Sequence, residues 1–379
     1  MSAFGSAIAW GAEGSDNLSL LEADEALDSS APEGFDADAA VDHEFEVEQA
    51  LAGLALLLGL RWRRAKGEVT AAIVEAAGVS GLDTRNPPGG PGGSIPRIDY
   101  APLTGSLSPE ADRRLKDLRA AVGRAMAPVL SGMQGELAGL VALEAEHWRE
   151  VFGMPGLTGD DANRIVTRLR VLGVRLKDRL EGLDRSAQDR IVSAVADALA
   201  SGGGVAEALE RVYGRGATRG VDDAILTAID REARTVGGAV VNATRGRMAE
   251  KALGVPRSPV DRCVHVSVLD SRTSALCVSL SGRVYRLPEE TPNVPPLHPN
   301  CRSRLWYLRR NQRTPEIPSG VRWLRRQPRE RQEEILGVRI ARLWRGNRIT
   351  LTKLITPSLR PLTLAEVRER MEARRRAGR

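Results

Sequence analysis

The sequence is poor in cysteine and in aromatic residues. Among its 379 residues there are three cysteines, and Phe, Trp and Tyr together make up 4%. An odd, low cysteine count argues against a secreted scaffold held together by disulfides. Because aromatic side chains are few, a core must consist mainly of Leu, Val, Ile and Ala, which favours helices. Hydrophobic residues make up 42%, and the length is sufficient for two or three domains.

Long apolar segments and a basic leader are also missing. The longest apolar run, residues 50–60, is about half the length that crosses a bilayer. The amino-terminal residues lack the basic region of a signal peptide. We therefore expect a soluble protein that is made in the cytoplasm and does not span a membrane.

Each end of the chain lacks one sign of charge. Residues 1–50 contain 13 Asp and Glu but no Lys or Arg, whereas residues 302–379 contain 22 Lys and Arg against 7 Asp and Glu. The acidic segment predicts a disordered arm, since it offers too little apolar surface to offset the entropy of ordering. The basic segment predicts an acidic partner, and DNA phosphates are one such partner.

Composition and periodicity predict an α+β fold, mostly α, in five segments. They are an acidic disordered arm (1–50), a segment of helix and Pro/Gly linker (51–104), a helical domain (105–255), a small α+β module (256–310) and a basic helical extension (311–379). In the second segment the helical pattern covers residues 50–77 and the linker follows it.

Local signals place several elements within these segments. Ser108 and Pro109 predict a helix start, and Ser186 is a candidate cap for a helix that ends at the glycines 202–204. Alternating or β-rich stretches predict three strands, and glycines or a capping box delimit three short helices near the carboxyl end. The strands are expected at 264–268, 283–287 and 303–308, and the helices at 330–336, 338–345 and from 363 onward.

All three cysteines and two of the four histidines lie within residues 263–301. Cys and His are the ligands that zinc prefers, and a structural site takes four of them in a tetrahedron. Cys277, His298 and Cys301 are the first three candidates, because prolines stiffen the His298-x-x-Cys301 turn. The best candidates for the fourth ligand are Cys263 and His265, because they share one face of a predicted strand. Asp270 is the third candidate.

Two other interpretations of the cluster stay open. The cysteines can be buried, inert side chains, with His298 hydrogen-bonded to a carboxylate such as Asp270. Alternatively, Cys277 and Cys301 can pair as a disulfide outside the reducing cytosol. In each case the cluster ties a long proline-rich loop, residues 291–299, to a strand.

The polar residues beside the cluster favour a structural role. Asp270 can cap the following backbone amides, Thr273 shares its turn, and Arg272 or Arg302 can form a bidentate salt bridge. A catalytic alternative uses Asp270 as a base and His298 as an acid or metal ligand. The sequence contains no H-E-x-x-H motif and no deaminase-type zinc motif, so we assign no catalytic residue.

These residues together resemble the signature of the Mu F-like minor head protein family of tailed bacteriophages. The matching elements are a D-x-R-T (Asp270 to Thr273), Cys277, a G-x-x-Y turn (Gly282 to Tyr285) and a P-P-x-H-x-N-C-R (Pro295 to Arg302, including Pro296). The resemblance covers residues 225–379 well and 105–224 loosely. Many family members have a C-x-x-C where this chain has Ser274 and Cys277, which leaves Cys263 or His265 as the replacement ligand.

The resemblance implies a structural, non-enzymatic protein of the virion head, present in a few copies at the portal vertex. Its expected partners are the portal protein and capsid or scaffold proteins, and its expected roles are head assembly, genome packaging or DNA ejection. Zinc is the expected cofactor. A metal-dependent nuclease or hydrolase at the Cys/His site is one alternative function.

The other alternative is a sequence-independent DNA-binding protein. Its candidate DNA-binding residues are Arg374, Arg375 and Arg376, with three tryptophans interleaved in the basic region. These tryptophans are Trp306, Trp323 and Trp344.

Overall fold

A computed structural model describes residues 37–78, 108–315, 317, 319–351 and 364–377. The predicted linker at 86–96, Thr363 of the predicted capping box and the acidic arm before residue 37 lie outside these residues. The described part is mostly helical and contains small antiparallel sheets, which confirms the predicted α+β, mostly α, class.

The elements follow one another along the chain as long helices, then a small sheet, then short helices. The helices are α1 (Ala37–Ala77), α2 (Pro109–Phe152), α3 (Gly159–Arg168), α4 (Leu176–Ala200), α5 (Gly204–Tyr213), α6 (Val221–Leu253), α7 (Ala275–Leu280), α8 (Gly320–Arg326), α9 (Arg329–Leu336), α10 (Val338–Arg345) and α11 (Leu364–Ala377). The strands are β1 (Arg170–Val171), β2 (Val174–Arg175), β3 (Val260–Val266), β4 (Val284–Arg286) and β5 (Arg304–Arg309).

The chain forms two units, and α1, α2, α3 and α6 each contribute residues to both. The first unit comprises the described residues before 46, with 141–162 and 238 onward; the second comprises 46–140 and 163–237. The predicted boundary at 104 lies outside the described residues. Those at 50 and 255 do not coincide with this division, because the long helices α1 and α6 continue from one unit into the other.

The second unit is helical, with an aliphatic core and the short β1–β2 hairpin. Ile225, Ile229 and Ala233 are buried on one face of α6, as their spacing predicts. Trp62 is also buried, and its indole N–H donates to Asp222 Oδ1 at 2.7 Å. Ser186 does not cap a helix, because α4 already begins at Leu176 and Ser186 lies in its interior.

The first unit contains the predicted three-stranded sheet, in the order β4-β3-β5 with both pairs antiparallel. Cys263 of β3 lies opposite Tyr285 on one side and Tyr307 on the other. Because β3 is central and covered on both faces, His265 is as deeply buried as Val264. The predicted strands are thus confirmed, although β3 begins four residues before the predicted start and ends at Val266.

A buried ionic cluster fastens the start of α1 in the first unit. Arg245 is fully buried and donates to Glu144 at 2.8 Å and to Glu44 at 2.5 Å. His43 Nε2 lies 3.3 Å from Glu144 Oε1, and the His43 ring stacks on His147 with centroids 3.6 Å apart. The disorder predicted for residues 1–50 is therefore wrong for residues 37–50, where these specific contacts hold a helix that composition alone does not indicate.

The short carboxyl-terminal helices pack against α7 through an apolar cluster, which we call the C-terminal cluster. Its buried members are Leu269, Val278, Leu324, Leu336, Ala341, Trp344, Leu351 and Val367. The helices α9 and α10 confirm the predicted ones, with Gly337 between them at φ +77°. Two short helices, α7 and α8, are not predicted from the sequence. The cluster joins Val278 to the helices beyond residue 319, so residues on both sides of the predicted boundary at 310 share one apolar core.

One helix in the described part, α2, contains a window of mean hydropathy 1.2 that is long and apolar enough to cross a membrane. Core helices of soluble proteins pass the same test, and 39% of this window is buried within the protein. The absence of a membrane span therefore stays a prediction.

Candidate metal centre

The short helix α7 positions Cys277 in its first turn. Ser274 has extended backbone angles and is the N-cap, and its Oγ accepts the Cys277 N–H at 3.3 Å. The Ser267 hydroxyl donates to the Cys277 carbonyl at 3.1 Å and pairs with the Ser303 hydroxyl at 2.9 Å. Cys277 is thus fixed from both the β3 side and the β5 side of the sheet.

A tight polar turn precedes this helix. Asp270 Oδ1 accepts the Arg272 N–H at 2.8 Å, and the Thr273 hydroxyl donates to the Val268 carbonyl at 2.7 Å while accepting the Asp270 N–H at 2.7 Å. Arg302 donates to Asp270 from both terminal nitrogens, at 2.7 and 2.5 Å. Burial tends to raise the pKa of Asp270, but the hydrogen bonds from Arg302 and the Arg272 amide outweigh it and lower that pKa.

The proline-rich loop presents His298 and Cys301 together. The Pro295–Pro296 peptide is cis, Asn300 adopts a left-handed φ of +57°, and the Cys301 N–H donates to the His298 carbonyl at 3.2 Å. His298 Nδ1 lies 2.8 Å from the Pro299 carbonyl. A carbonyl only accepts, so Nδ1 carries the proton and Nε2 is left as the metal-binding nitrogen in the neutral ring.

The three predicted ligands meet in space. The ligand atoms of Cys277, His298 and Cys301 all lie within 4.8 Å of one another, and this group can hold a metal ion. The two sulfurs are 3.7 Å apart, and His298 Nε2 is 3.1 Å from Cys277 Sγ. Both cysteines are buried and unpaired by a disulfide, and His298 is half-buried.

The cluster favours the thiolate form of one of its two cysteines, Cys301. The hydrogen bond from the Cys277 thiol, together with His298, lowers the pKa of Cys301 despite its burial. The same hydrogen bond and burial raise the pKa of Cys277. The hydrogen bond with Cys301 raises the pKa of His298. A thiolate is the form of cysteine that binds metals, so Cys301 is ready to bind and Cys277 releases its proton on binding.

The two predicted candidates for the fourth ligand do not join this group. Cys263 lies in an apolar cluster with Trp148, Tyr285 and Tyr307, where burial raises its pKa to about 12. His265 is fully buried, and burial lowers its pKa to about 4. The backbone of Asn293 and the Cys301 sulfur favour its protonation electrostatically, but neither ring nitrogen forms a hydrogen bond with any residue that the structure describes.

The remaining motif residues shape the turns around the centre. Gly282 has φ +83°, which favours glycine, and its N–H donates to the His265 carbonyl at 2.8 Å. Arg272 contributes its backbone N–H, while its side chain is exposed. One interpretation of the sequence proposed a hydrogen bond between His298 and Asp270. The structure does not contain this bond, because Arg302 holds the Asp270 carboxylate.

The predicted DNA-binding residues lie far along the chain from the centre. Arg374, Arg375 and Arg376 belong to α11, and the Arg376 side chain is exposed, 3.9 Å from Glu372. The side chains of Arg374 and Arg375 lie outside the described part. The three tryptophans are structural: Trp344 is buried, Trp323 packs on the C-terminal cluster, and Trp306 donates to Glu44 at 2.7 Å.

Sequence reasoning missed Ser274 as a polar neighbour of His298. The Ser274 Oγ lies 2.8 Å from His298 Nε2. Its position three residues before Cys277 is the N-cap spacing, and that signal was available in the sequence.

Comparisons of this chain with protein-family models, curated proteins and solved structures give no match. The resemblance to the Mu F-like family therefore depends on the motif residues and their arrangement.

Proposed function

We propose that this chain is a minor head protein of a tailed bacteriophage, associated with the portal vertex, in which Cys277, His298 and Cys301 hold a zinc ion. The ion fastens the proline-rich loop to α7, and the resulting module is a structural part of the head. Head assembly, genome packaging and DNA ejection are the processes in which such a protein acts.

The observation that carries the proposal is the convergence of the two halves of the resembling motif. The D-x-R-T turn and the H-x-N-C-R loop are linked once by the Asp270–Arg302 salt bridge. They are linked again by the ligand group of Cys277, His298 and Cys301. A motif assembled by chance would not require its separate parts to meet, so this convergence supports the likeness.

The donor set supports zinc. Two thiolates and one imidazole suit a borderline-soft ion, and magnesium or calcium would require oxygen donors. The Pro299 carbonyl orients the His298 ring as the outer partner of a zinc-bound histidine does. When bound, zinc would supply a strong crosslink between α7 and the loop.

The surroundings support a structural role over hydrolysis. The proposed base of the catalytic alternative, Asp270, has both carboxylate oxygens held by Arg302. Its lowered pKa also makes it a weak base. We therefore expect supercoiled plasmid DNA to stay intact with the purified chain in Mg²⁺ or Zn²⁺. Cleavage that disappears in His298→Ala would instead establish the nuclease alternative.

A specific observation favours DNA contact as a second function. Five arginines around α8 and α10 are exposed and form neither an ion pair nor a side-chain hydrogen bond in the part of the chain that the structure describes. They are Arg322, Arg326, Arg339, Arg342 and Arg348. Arg322 and Arg326 share one face of α8, and Arg339 and Arg342 share one face of α10. With the tryptophans packed in the protein, these arginines would bind phosphates without base stacking.

The test of the main proposal is portal binding. We expect the gene to lie beside portal and capsid genes, and the tagged full-length chain to copurify with that portal protein when both are coexpressed. A portal protein from an unrelated phage is the control. A gene neighbourhood without a portal, or a neighbouring portal that does not bind at low salt, would contradict the proposal.

A further inference from the structure

Four side-chain atoms, not three, converge at the candidate metal centre. Besides the two sulfurs and His298 Nε2, the Ser274 Oγ lies 2.8 Å from that same nitrogen. It also faces Cys277, whose N–H it accepts at 3.3 Å. The hydroxyl therefore lies beside the lone pair that the Pro299 contact leaves on His298.

The spacing of the two sulfurs matches a tetrahedral ion, and the spacing of Cys277 Sγ and His298 Nε2 is slightly shorter than one requires. With zinc–sulfur bonds of about 2.3 Å and zinc–nitrogen bonds of about 2.0 Å, a tetrahedron separates two sulfurs by roughly 3.8 Å and a sulfur from a nitrogen by about 3.5 Å. The observed sulfur–sulfur distance is 3.7 Å, and the sulfur–nitrogen distance is 3.1 Å. A small outward movement of His298, which is half-buried, brings the second distance into range.

The other candidates for a fourth ligand are occupied elsewhere or are too distant. Asp270 is held by Arg302, and Cys263 lies among the aromatic rings of the sheet. His265 lies outside the group of ligand atoms that are within 4.8 Å of one another.

We infer that the metal has three strong protein ligands and that its fourth coordination position lies at the Ser274 hydroxyl. This inference rests on the metal site of the proposed function. A neutral hydroxyl is a much weaker zinc donor than a thiolate, so a small exogenous donor such as imidazole can replace it at this position. A site with one exchangeable position differs from a closed structural site with four protein ligands. The substitution Ser274→Cys should close it.

The experiment uses the full-length chain loaded with Co²⁺, whose visible and near-ultraviolet absorption reports ligand type and number. In S274C the thiolates rise from two to three, so the sulfur-to-cobalt charge-transfer intensity should rise by about half. Zn²⁺ should bind about tenfold more tightly or better, because a charged donor replaces a neutral one. Excess imidazole should shift the cobalt bands of the unmodified chain but not those of S274C.

Ser271→Cys is the matched control, because Ser271 is exposed on the preceding turn and adds a thiol away from the centre. We expect S271C to keep the spectrum of the unmodified chain. A spectrum and zinc affinity unchanged in S274C, while Cys301→Ser abolishes binding, would overturn this inference and leave the metal site intact. If the unmodified chain binds neither Co²⁺ nor Zn²⁺, both this inference and the metal site of the proposed function are refuted.

Discussion

Arg302 holds Asp270 in a two-pronged salt bridge, with nitrogen–oxygen distances of 2.7 and 2.5 Å across 32 residues of sequence. Both side chains are largely removed from solvent, with 22% and 11% exposed. The pair stands near Cys277 and Cys301 in the chain, so it brings together the two segments that carry the proposed ligands without needing a metal. Charge-assisted, bidentate pairs of this kind are among the stronger side-chain interactions.

The Asp270→Asn substitution should destabilise the protein by about 2 kcal/mol, because it leaves the Arg302 guanidinium partly buried without its counter-charge. The asparagine oxygen can still accept the Arg272 N–H, so the turn is kept. Urea unfolding measures the change. Arg272→Gln is the control, since that side chain is 72% exposed, and its effect should stay below about 0.5 kcal/mol. Equal losses in the two variants would contradict a special role for the pair.

Cys301→Ser should abolish tight zinc binding, whereas Cys263→Ala should retain it. Both cysteines are buried, but only Cys301 belongs to the ligand group. Metal content after dialysis and zinc titration of the purified chains measure the difference. Removal of zinc with a chelator should lower the Tm of the unmodified chain and leave that of Cys301→Ser unchanged. Zinc retained by Cys301→Ser would refute the assignment.

Gly320→Ala should destabilise the first unit by roughly 1–3 kcal/mol or more. A Cβ at this position would lie 2.0 Å from the Val278 carbonyl oxygen, a backbone atom that cannot move aside. Gly182→Ala is the contrasting variant, because nothing lies within 4 Å of its Cβ position in the interior of α4. It should stabilise the protein by about 0.5–1 kcal/mol. Thermal unfolding of both variants decides whether α8 approaches α7 this closely.

The buried ionic cluster should make stability fall on acidification. Burial, with the neighbouring His43, lowers the pKa of His147 from 6.5 to about 4. The neutral ring is therefore favoured in the folded state, and its contribution is complete above pH 6.5 and is lost as the pH falls through about 4. The difference in unfolding free energy between the unmodified chain and His147→Gln should shrink over this window. A difference that stays constant would contradict the shifted pKa.

Replacing four of the unpaired arginines should weaken DNA binding and its dependence on salt. The quadruple variant R322Q/R326Q/R339Q/R342Q removes up to four phosphate contacts, so the slope of log K against log salt should fall by about 3 to 4. The control removes four exposed arginines from the second unit, at positions 63, 64, 185 and 219. Fluorescence anisotropy with duplex DNA measures both slopes. An equal loss in the control would show that net charge, not this surface, determines binding.

Much of the fold could be predicted from local patterns. The alternation around Val264, the glycines that bound α4 and α9, and the spacing of Ile225 and Ile229 all reflect short-range constraints that a sequence displays. The start of α1 could not be predicted from local patterns, because residues 37–50 are ordered by contacts with Glu144 and Arg245, which lie about a hundred residues or more away in the chain. Composition records none of these tertiary contacts.

The candidate metal centre could also be predicted only in part, because the sequence displays residue types and local spacing but not tertiary contacts. Residue type and clustering indicated Cys277, His298 and Cys301, and these three meet. Strand alternation also placed Cys263 and His265 on one face, but it could not show that the face at Cys263 is filled by Tyr285 and Tyr307. Ser274 was noted only as the residue in place of a family cysteine, and the replacement ligand was sought at Cys263 or His265, although the capping position of Ser274 is readable from the sequence.

Val278 immediately follows Cys277, a proposed metal ligand, and is a buried member of the C-terminal cluster. Anyone expressing the motif-bearing module alone would choose to stop near residue 310, where the sheet ends. Such a fragment would expose Leu269 and Val278 to water and should aggregate or bind metal poorly. A fragment for spectroscopy or crystallisation must therefore retain the chain through at least Val367, whose side chain belongs to the same cluster.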